Sequence, residues 1–435
     1  MIKKIIISKV FIAFLALLFY SCASSRKNKT VNNEAVNLNP ERVANWSSDI
    51  DYFQSELEDK HINLYHTVSK EDFESELSDL KNSLPDYNKY QVMVELMRIT
   101  RLIGDGHTIY GYWSNGFSRF PVYFRMFGNE LRVIKTTAEY RHLLGKKLTA
   151  IDGTEINELK NKISPVVQGV DNQNSLEHFL PNTINVAEVL YGLNITGQLN
   201  IANFKFTDDN GINQSVILNS ITHDKLKGLV TEVLNERPVN LGKPLRSTNG
   251  IWLSADAQTK TAFIRFDSYP GFLKMLLFAN GVKKQLLKHQ IKHLIIDFRG
   301  NGGGNFFEGL VLAQMLVTID SLDWENGIYV LIGKETFSAG VSNATQFKQI
   351  LNAKLVGETT GGNPYGYQDA DRFLLPNSKW TVQYSKRLFR MQDNQTNGLV
   401  PDIKIESDWS DYKQNRDKQL EWILNDISSK PEYKN

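Results

Sequence analysis

One cysteine, Cys22, occurs in 435 residues, so no intrachain disulfide can form. A surplus of charge is also missing: 50 Lys and Arg face 48 Asp and Glu, a net of +2. That balance gives no basic footprint for a polyanion, and no acidic tail is present, so no nucleic-acid partner is expected. No apolar run reaches the roughly 20 residues that a membrane-spanning helix needs. Internal repeats are absent. What the chain has is ordinary core material, 41% hydrophobic and 11% aromatic residues, in a length that suits two or three packed units.

The longest apolar run, "VFIAFLALLFY" from Val10 to Tyr20, follows Lys3, Lys4 and Lys9 and stops at Ser21-Cys22. A basic start, a short apolar core and a small residue at the break describe a secretory signal peptide. "FYSC" resembles a bacterial lipoprotein cleavage box, with Phe19 where Leu is usual, and the resemblance implies that Cys22 becomes the lipidated first residue. The polar, aperiodic stretch after it reads as a tether. The expectation is a signal peptide over 1–22, a flexible tether over 23–40, and a lipid-anchored protein of the bacterial cell envelope, on the outer-membrane or periplasmic face.

From 41 to 115 the pattern is helical. Phe73, Leu77 and Leu80, then Val92, Leu96, Ile99 and Ile103, follow the spacing of one helix face, and Gly104 stops the run before "GDGHT". Residues 116–172 change to a hairpin turning near Gly128-Asn129, then "GKKLTAIDGTEINEL", a strand, an Asp152-Gly153 turn and a short helix. That order looks like a PDZ domain, whose sheet edge accepts an extended peptide. Residues 173–248 read as helix plus a hairpin around Asn210-Gly211, a connector. From 249 to 435 strands and helices alternate, which implies a layered α/β core.

Within that core "IIDFRGNGGG", 295–304, ends a buried strand in bare backbone. A phosphate loop needs Gly-Lys-Ser/Thr, and a dinucleotide loop needs glycine at 305, where Asn305 stands. Both templates fail, and no cofactor is implied. The remaining use is aiming amides at an oxyanion. The next strand-to-helix junction supplies a nucleophile, Ser338 in "TFSAG", at a helix N-terminus whose partial positive charge favours an alkoxide. The amide of Ala339 can point at the same oxygen as a glycine amide. Alone, a serine at that place more often caps the helix.

"IIDFRGNGGG", "TFSAG", "VGETTGG" and "GLVPD" at 398–402 together resemble the tail-specific (C-terminal-processing) serine peptidase family, in order and spacing from Thr259 to Ile405. The resemblance implies a ClpP/crotonase-like α/β core, usually with a PDZ domain, and Ser338 as nucleophile. It implies oxyanion donors from Gly302 or Gly303 and from Ala339. One branch of the family takes its base from a lysine after "GExTxG"; the matching run here, "GETTGGNPYG", has Asn363 or a neighbour instead. The other branch, like the tricorn core and retinoid-binding-protein repeats, draws a histidine from the N-terminal unit, which maps onto His107 of "GDGHT". A neutral imidazole is a practical acceptor for the serine proton. In that branch a glutamate before the "GxxPD" turn serves the network; "MQDNQTNGLVPD" offers Asp393, Asn394 and Gln395 there, and Glu358 is the other nearby acid. The third member is left open.

His289 and His293 share a metal-like spacing, but no third ligand completes it, and no metal is expected. Arg299 is expected to lock the glycine loop through a buried pair with Asp297 or another acid. An α/β-hydrolase would carry Gly-x-Ser-x-Gly with its histidine after the serine, the reverse of this order. The expected function is a serine endopeptidase acting on proteins or peptides. A catalytically silent binder of peptide or polymer with the same groove is the alternative.

Overall fold

Polar caps open the N-terminal helices. Asn39 accepts from Arg42 N at the head of Pro40–Lys60, and Ser69 from Asp72 N at Lys70–Ser83. Asn88 forms a capping box with Gln91 at Lys89–Leu102. Phe53, Phe73, Leu77, Val92, Leu96 and Ile99 bury the inward faces. The third helix gives way to Gly104, whose φ of +87° favours glycine, and so delivers the chain into the His107 turn.

The computed structural model describes residues 38–111, 116–229, 231–234 and 242–430. The expected signal peptide, Cys22 and nearly all of the tether lie outside them. The tether ends earlier than 40, because Leu38 is already buried and Asn39 caps a helix. Among the described residues no helix is long and apolar enough to cross a membrane.

The first sheet runs Val122–Phe127, Glu130–Thr137, Lys147–Ile151, Ile201–Thr207, Asn213–Asn219 in spatial order, all antiparallel. The expected boundary at 172 therefore divides one sheet. The 201–219 hairpin is no connector: alternate residues Ala202, Phe204 and Phe206 bury one face on the shared core, which fixes it to the neighbouring strand.

The second sheet is ordered Ile403–Lys404, Lys354–Gly357, Ile328–Ile332, His293–Asp297, Thr261–Phe266, Ile251–Asp256, Arg246–Thr248. Its first five strands are parallel, the last two antiparallel. Every residue of "HLIID" and "IYVLI" is buried, as central strands covered on both faces require. Helices Phe272–Lys288, Phe306–Leu316 and Ala339–Leu351 pack one face, and Lys418–Ser428 the other, through Leu420, Ile423 and Ile427. The result is a mixed α/β fold with several sheets.

A third sheet joins the halves. Strands Tyr365–Leu374 and Thr381–Arg390 form a long hairpin whose second strand pairs with Ile109–Gly111. Its Phe373, Val382 and Tyr384 belong to the N-terminal core. The expected 249–435 unit thus reaches back to the segment that carries His107.

Candidate active site

Parallel neighbours place their following loops side by side. His293–Asp297 leads into the glycine loop, and the adjacent Ile328–Ile332 leads to Ser338. Both loops leave the carboxyl edge of the sheet, where open α/β folds build their sites.

Ser338 occupies the N-cap position of helix Ala339–Leu351 at φ +50°, ψ −126°, but its side chain makes no capping bond. Its Oγ instead lies 2.9 Å from His107 Nε2, across 231 residues of chain. A non-glycine residue at such a φ stores strain of about 1–3 kcal/mol and persists where its surroundings hold it. They do. Thr336 Oγ1 donates to Phe298 O and accepts from Gly333 N, both at 3.0 Å, and Gly362 N donates to Thr336 O at 3.1 Å. Ala339 opens the helix, so its N–H has no intrahelical carbonyl ahead of it.

His107 is fixed through its backbone. Asp105 Oδ1 accepts from His107 N at 3.0 Å, Thr108 N at 2.7 Å and Ser385 Oγ at 2.6 Å. Asp105 Oδ2 faces His61 Nε2 at 3.0 Å and accepts from Thr108 Oγ1 at 2.9 Å. Burial pushes the Asp105 carboxyl up, but His61, Ser385 and Thr108 together hold it at about 2. Gln383 Nε2 donates to His107 O at 2.9 Å, and the imidazole stacks on Phe337 with centroids 5.1 Å apart. Burial lowers the His107 pKa from its ordinary value, against the pull of Asp105, Asp369 and the Tyr367 backbone. No side chain bonds its buried Nδ1, and the Tyr367 backbone acts on the ring from outside ideal hydrogen-bond geometry.

The glycine loop is braced by Asn301, a residue that the sequence reading passed over. Its carbonyl accepts from Phe337 N at 3.0 Å, its Oδ1 from Gly303 N at 3.0 Å, and its Nδ2 donates to Phe266 O at 2.9 Å. One buried residue thus ties the loop, through its side chain, and the nucleophile turn, through its carbonyl, to the same point. The Gly303 amide, expected to face an oxyanion, turns inward to Asn301, as Asx turns direct the second following N–H. What Gly303 provides is closeness: at φ +115°, a Cβ on it would stand 2.7 Å from Ser338 Cβ and 3.1 Å from Oγ. Gly302 has nothing within 4 Å of its Cβ position, on the open side of the loop.

Neither candidate acid is hydrogen-bonded to His107. Glu358 accepts from Ser407 N at 3.4 Å and lies 3.9 Å from Lys334 Nζ; Asp393 is exposed. Chain proximity to a motif placed them there, and the strand directions turn them elsewhere. Arg299 pairs with Asp297 at 2.7 Å and with Asp417 at 2.8 Å, the latter bringing the C-terminal helix start onto the glycine loop. Asn363, which with its neighbours was expected in place of a lysine, is a hub. Its Oδ1 accepts from Asn172 Nδ2 and Gly398 N, both at 2.8 Å, and its N–H reaches Asp171 Oδ2 at 3.3 Å. Among the described residues no group of three or more His, Cys, Asp or Glu is placed to hold a metal ion.

Residues 317–405 match the model of peptidase family S41. The match includes Ser338, "VGETTGG" and "GLVPD" and leaves the glycine loop outside. Among curated proteins none matches the chain. Among solved structures, mature CPAF complexed with lactacystin is 12% identical, covered over 98% of its length by 88% of this chain, with a TM-score of 0.62. A second structure of mature CPAF is 12% identical over 89% of this chain and 98% of its own, with a TM-score of 0.61. The photosystem II D1 C-terminal processing protease is 14% identical, covering 83% of this chain and 93% of its own, with a TM-score of 0.42. The CPAF likeness shows a shared fold. With Ser338 and the strands on either side of it inside a peptidase family S41 segment, the chain is a serine peptidase.

Proposed function

We propose that the chain is an endopeptidase in which Ser338 attacks the peptide carbonyl and His107 serves as general base. The observation that carries this is the 2.9 Å approach of Ser338 Oγ to His107 Nε2. The serine proton passes to Nε2 as Oγ bonds the carbonyl carbon, and Nε2 returns it to the leaving amine; water then releases the acyl group by the same route. Burial keeps the imidazole neutral and able to accept. The Ala339 amide, with that of Gly302, receives the developing oxyanion, where each donor is worth about 100- to 1,000-fold in turnover. No carboxylate bonds Nδ1, so Asp105 supports the imidazolium through space and through the His107 backbone. This reading favours the histidine-using branch.

The C-terminal sheet with its helices suits a ClpP/crotonase-like core. The first sheet, with Asp152-Gly153 and helix Ile156–Ile163, suits a PDZ-like module. Its strand Val122–Phe127 stands at the sheet edge and lines a cavity of about 280 Å³ shared with Lys334 and Glu335, shortly before Ser338 in the chain. An extended substrate can pair with such an edge. The run ending at Cys22 supports a lipid anchor in the envelope; Cys22→Ser should release the protein from membranes, and retention would end that reading.

A fluorophosphonate tests the chemistry on the full chain. An adduct at Ser338, lost in His107→Ala, is expected. A folded chain that takes up no label would favour the silent binder, for which the lack of a carboxylate at His107 Nδ1 speaks.

A further inference from the structure

Two carboxylates flank the turn that presents His107, and the mechanism above uses only one. Asp105 holds the turn from within. The second is Asp171, from the segment before helix Gln173–Thr183, 65 residues away from Gly106. Its Oδ1 accepts from Gly106 N at 2.6 Å, the amide immediately before His107. Its Oδ2 accepts from Asn363 N at 3.3 Å, and its own carbonyl from Asn363 Nδ2 at 3.3 Å. Asp171 N in turn donates to Ser175 Oγ at 3.0 Å, which holds the carboxylate's own backbone in place.

The carboxylate therefore bridges two loops at the site. One carries the imidazole. The other, 359–363, lies on the nucleophile turn: a Cβ on Gly362 would stand 3.1 Å from both Phe337 Cα and Ser338 N. The fit is tight on the histidine side too, since a Cβ on Gly106 would meet Asp171 Oδ1 at 2.8 Å and Phe337 Cζ at 2.7 Å. Moving Asp171 shifts His107 relative to Ser338, and a misplacement of about 1 Å at such a pair costs roughly 100-fold in rate.

We propose that Asp171 is a positioning residue for the reaction, its carboxylate clamping the Gly106 amide on one side and the Asn363 amide on the other so that His107 Nε2 stays within reach of Ser338 Oγ.

The clamp needs the ionised form. A carboxylate accepts both N–H groups in charge-assisted bonds, whereas a protonated acid carries a hydrogen on one oxygen and loses much of that hold. Although part of its surface reaches solvent, Asp171 lies deep among protein atoms. Burial pushes its pKa up to about 7, the Gly106 and Asn363 amides pull it down, Asp105 raises it and Arg101 lowers it. Arg101 comes from helix Lys89–Leu102 and Asp105 from the His107 turn. As pH falls through about 7 the clamp loosens, and activity falls with it. His107, whose pKa is lowered, titrates further to the acid side.

The inference rests on the serine–histidine reading, and the test separates the two. The rate of fluorophosphonate labelling at Ser338 and kcat/KM for a peptide substrate are measured against pH on the full chain and on Asp171→Asn. The wild type should show an acid limb near 7. The variant should lose roughly tenfold in kcat at pH 8, the equivalent of one hydrogen bond to a charged group, with KM nearly unchanged. Its acid limb should move below pH 6.5. Asp171→Asn with the limb still at the wild-type position overturns the proposal. If that variant does not fold, the wild-type profile decides: a single break below 6.5, with none near 7, overturns it equally. A wild type that does not label at any pH instead removes the serine–histidine reading itself.

Discussion

Gly303 faces Ser338 so closely that a methyl group on its Cα would stand 2.7 Å from the serine Cβ. The glycine loop is thus a wall of the nucleophile's own socket, built of backbone because no side chain fits. Gly303→Ala must move the loop, the nucleophile turn or both, and it also forces alanine to a φ of +115°. Labelling and kcat/KM should fall at least about 100-fold, comparable to losing an oxyanion donor. Far-UV circular dichroism should be unchanged, because the strands beneath are untouched.

His107→Gln keeps a polar group against Phe337 but cannot take a proton and return it. Loss of a general base lowers kcat about 100- to 10,000-fold. Single-turnover kinetics with an activated ester should show slowed acylation. Acylation at the wild-type rate would exclude His107 as the base.

Asp105 makes stability depend on pH in a defined window. Its folded pKa of about 2 lies below the ordinary 3.8, so the stability it contributes is present above pH 3.8 and is lost as pH falls through 2. The shift corresponds to about 2 kcal/mol. Asp105→Asn should lower the urea midpoint at pH 7 and flatten the stability profile between about pH 4 and 2. An unchanged profile would count against the His61–Asp105 pair.

Arg299 holds Asp297 and Asp417 together with little solvent access. Arg299→Met leaves two buried carboxylates facing each other and should cost about 3–5 kcal/mol. Because Asp417 caps helix Lys418–Ser428, hydrogen exchange should rise first in that helix.

The helices at 70–83 and 89–102, the central strands and the two turns with Ser338 and the glycines were legible along the chain. Apolar spacing, capping residues and glycine punctuation are local physics, and each writes itself into a few consecutive residues. The hairpin over 365–390 was not legible, since its strands "YGYQDADRFL" and "TVQYSKRLFR" are only partly buried and mix charged with apolar residues. Asn301 and Asp171 were missed for another reason: a short polar side chain looks alike in sequence whether it bridges two loops or faces water.

By itself the sequence determined the N-terminal helices and the alternating strands and helices of the core, and that bare amides and a serine follow two successive strands. Only tertiary structure decided that His107, rather than any of the seven other histidines, meets the serine, and that Asp171 and Asn363 brace it. Periodicity and propensity act over a few residues, whereas a hydrogen bond across 231 residues exists only after two cores and a shared hairpin have fixed both ends in space.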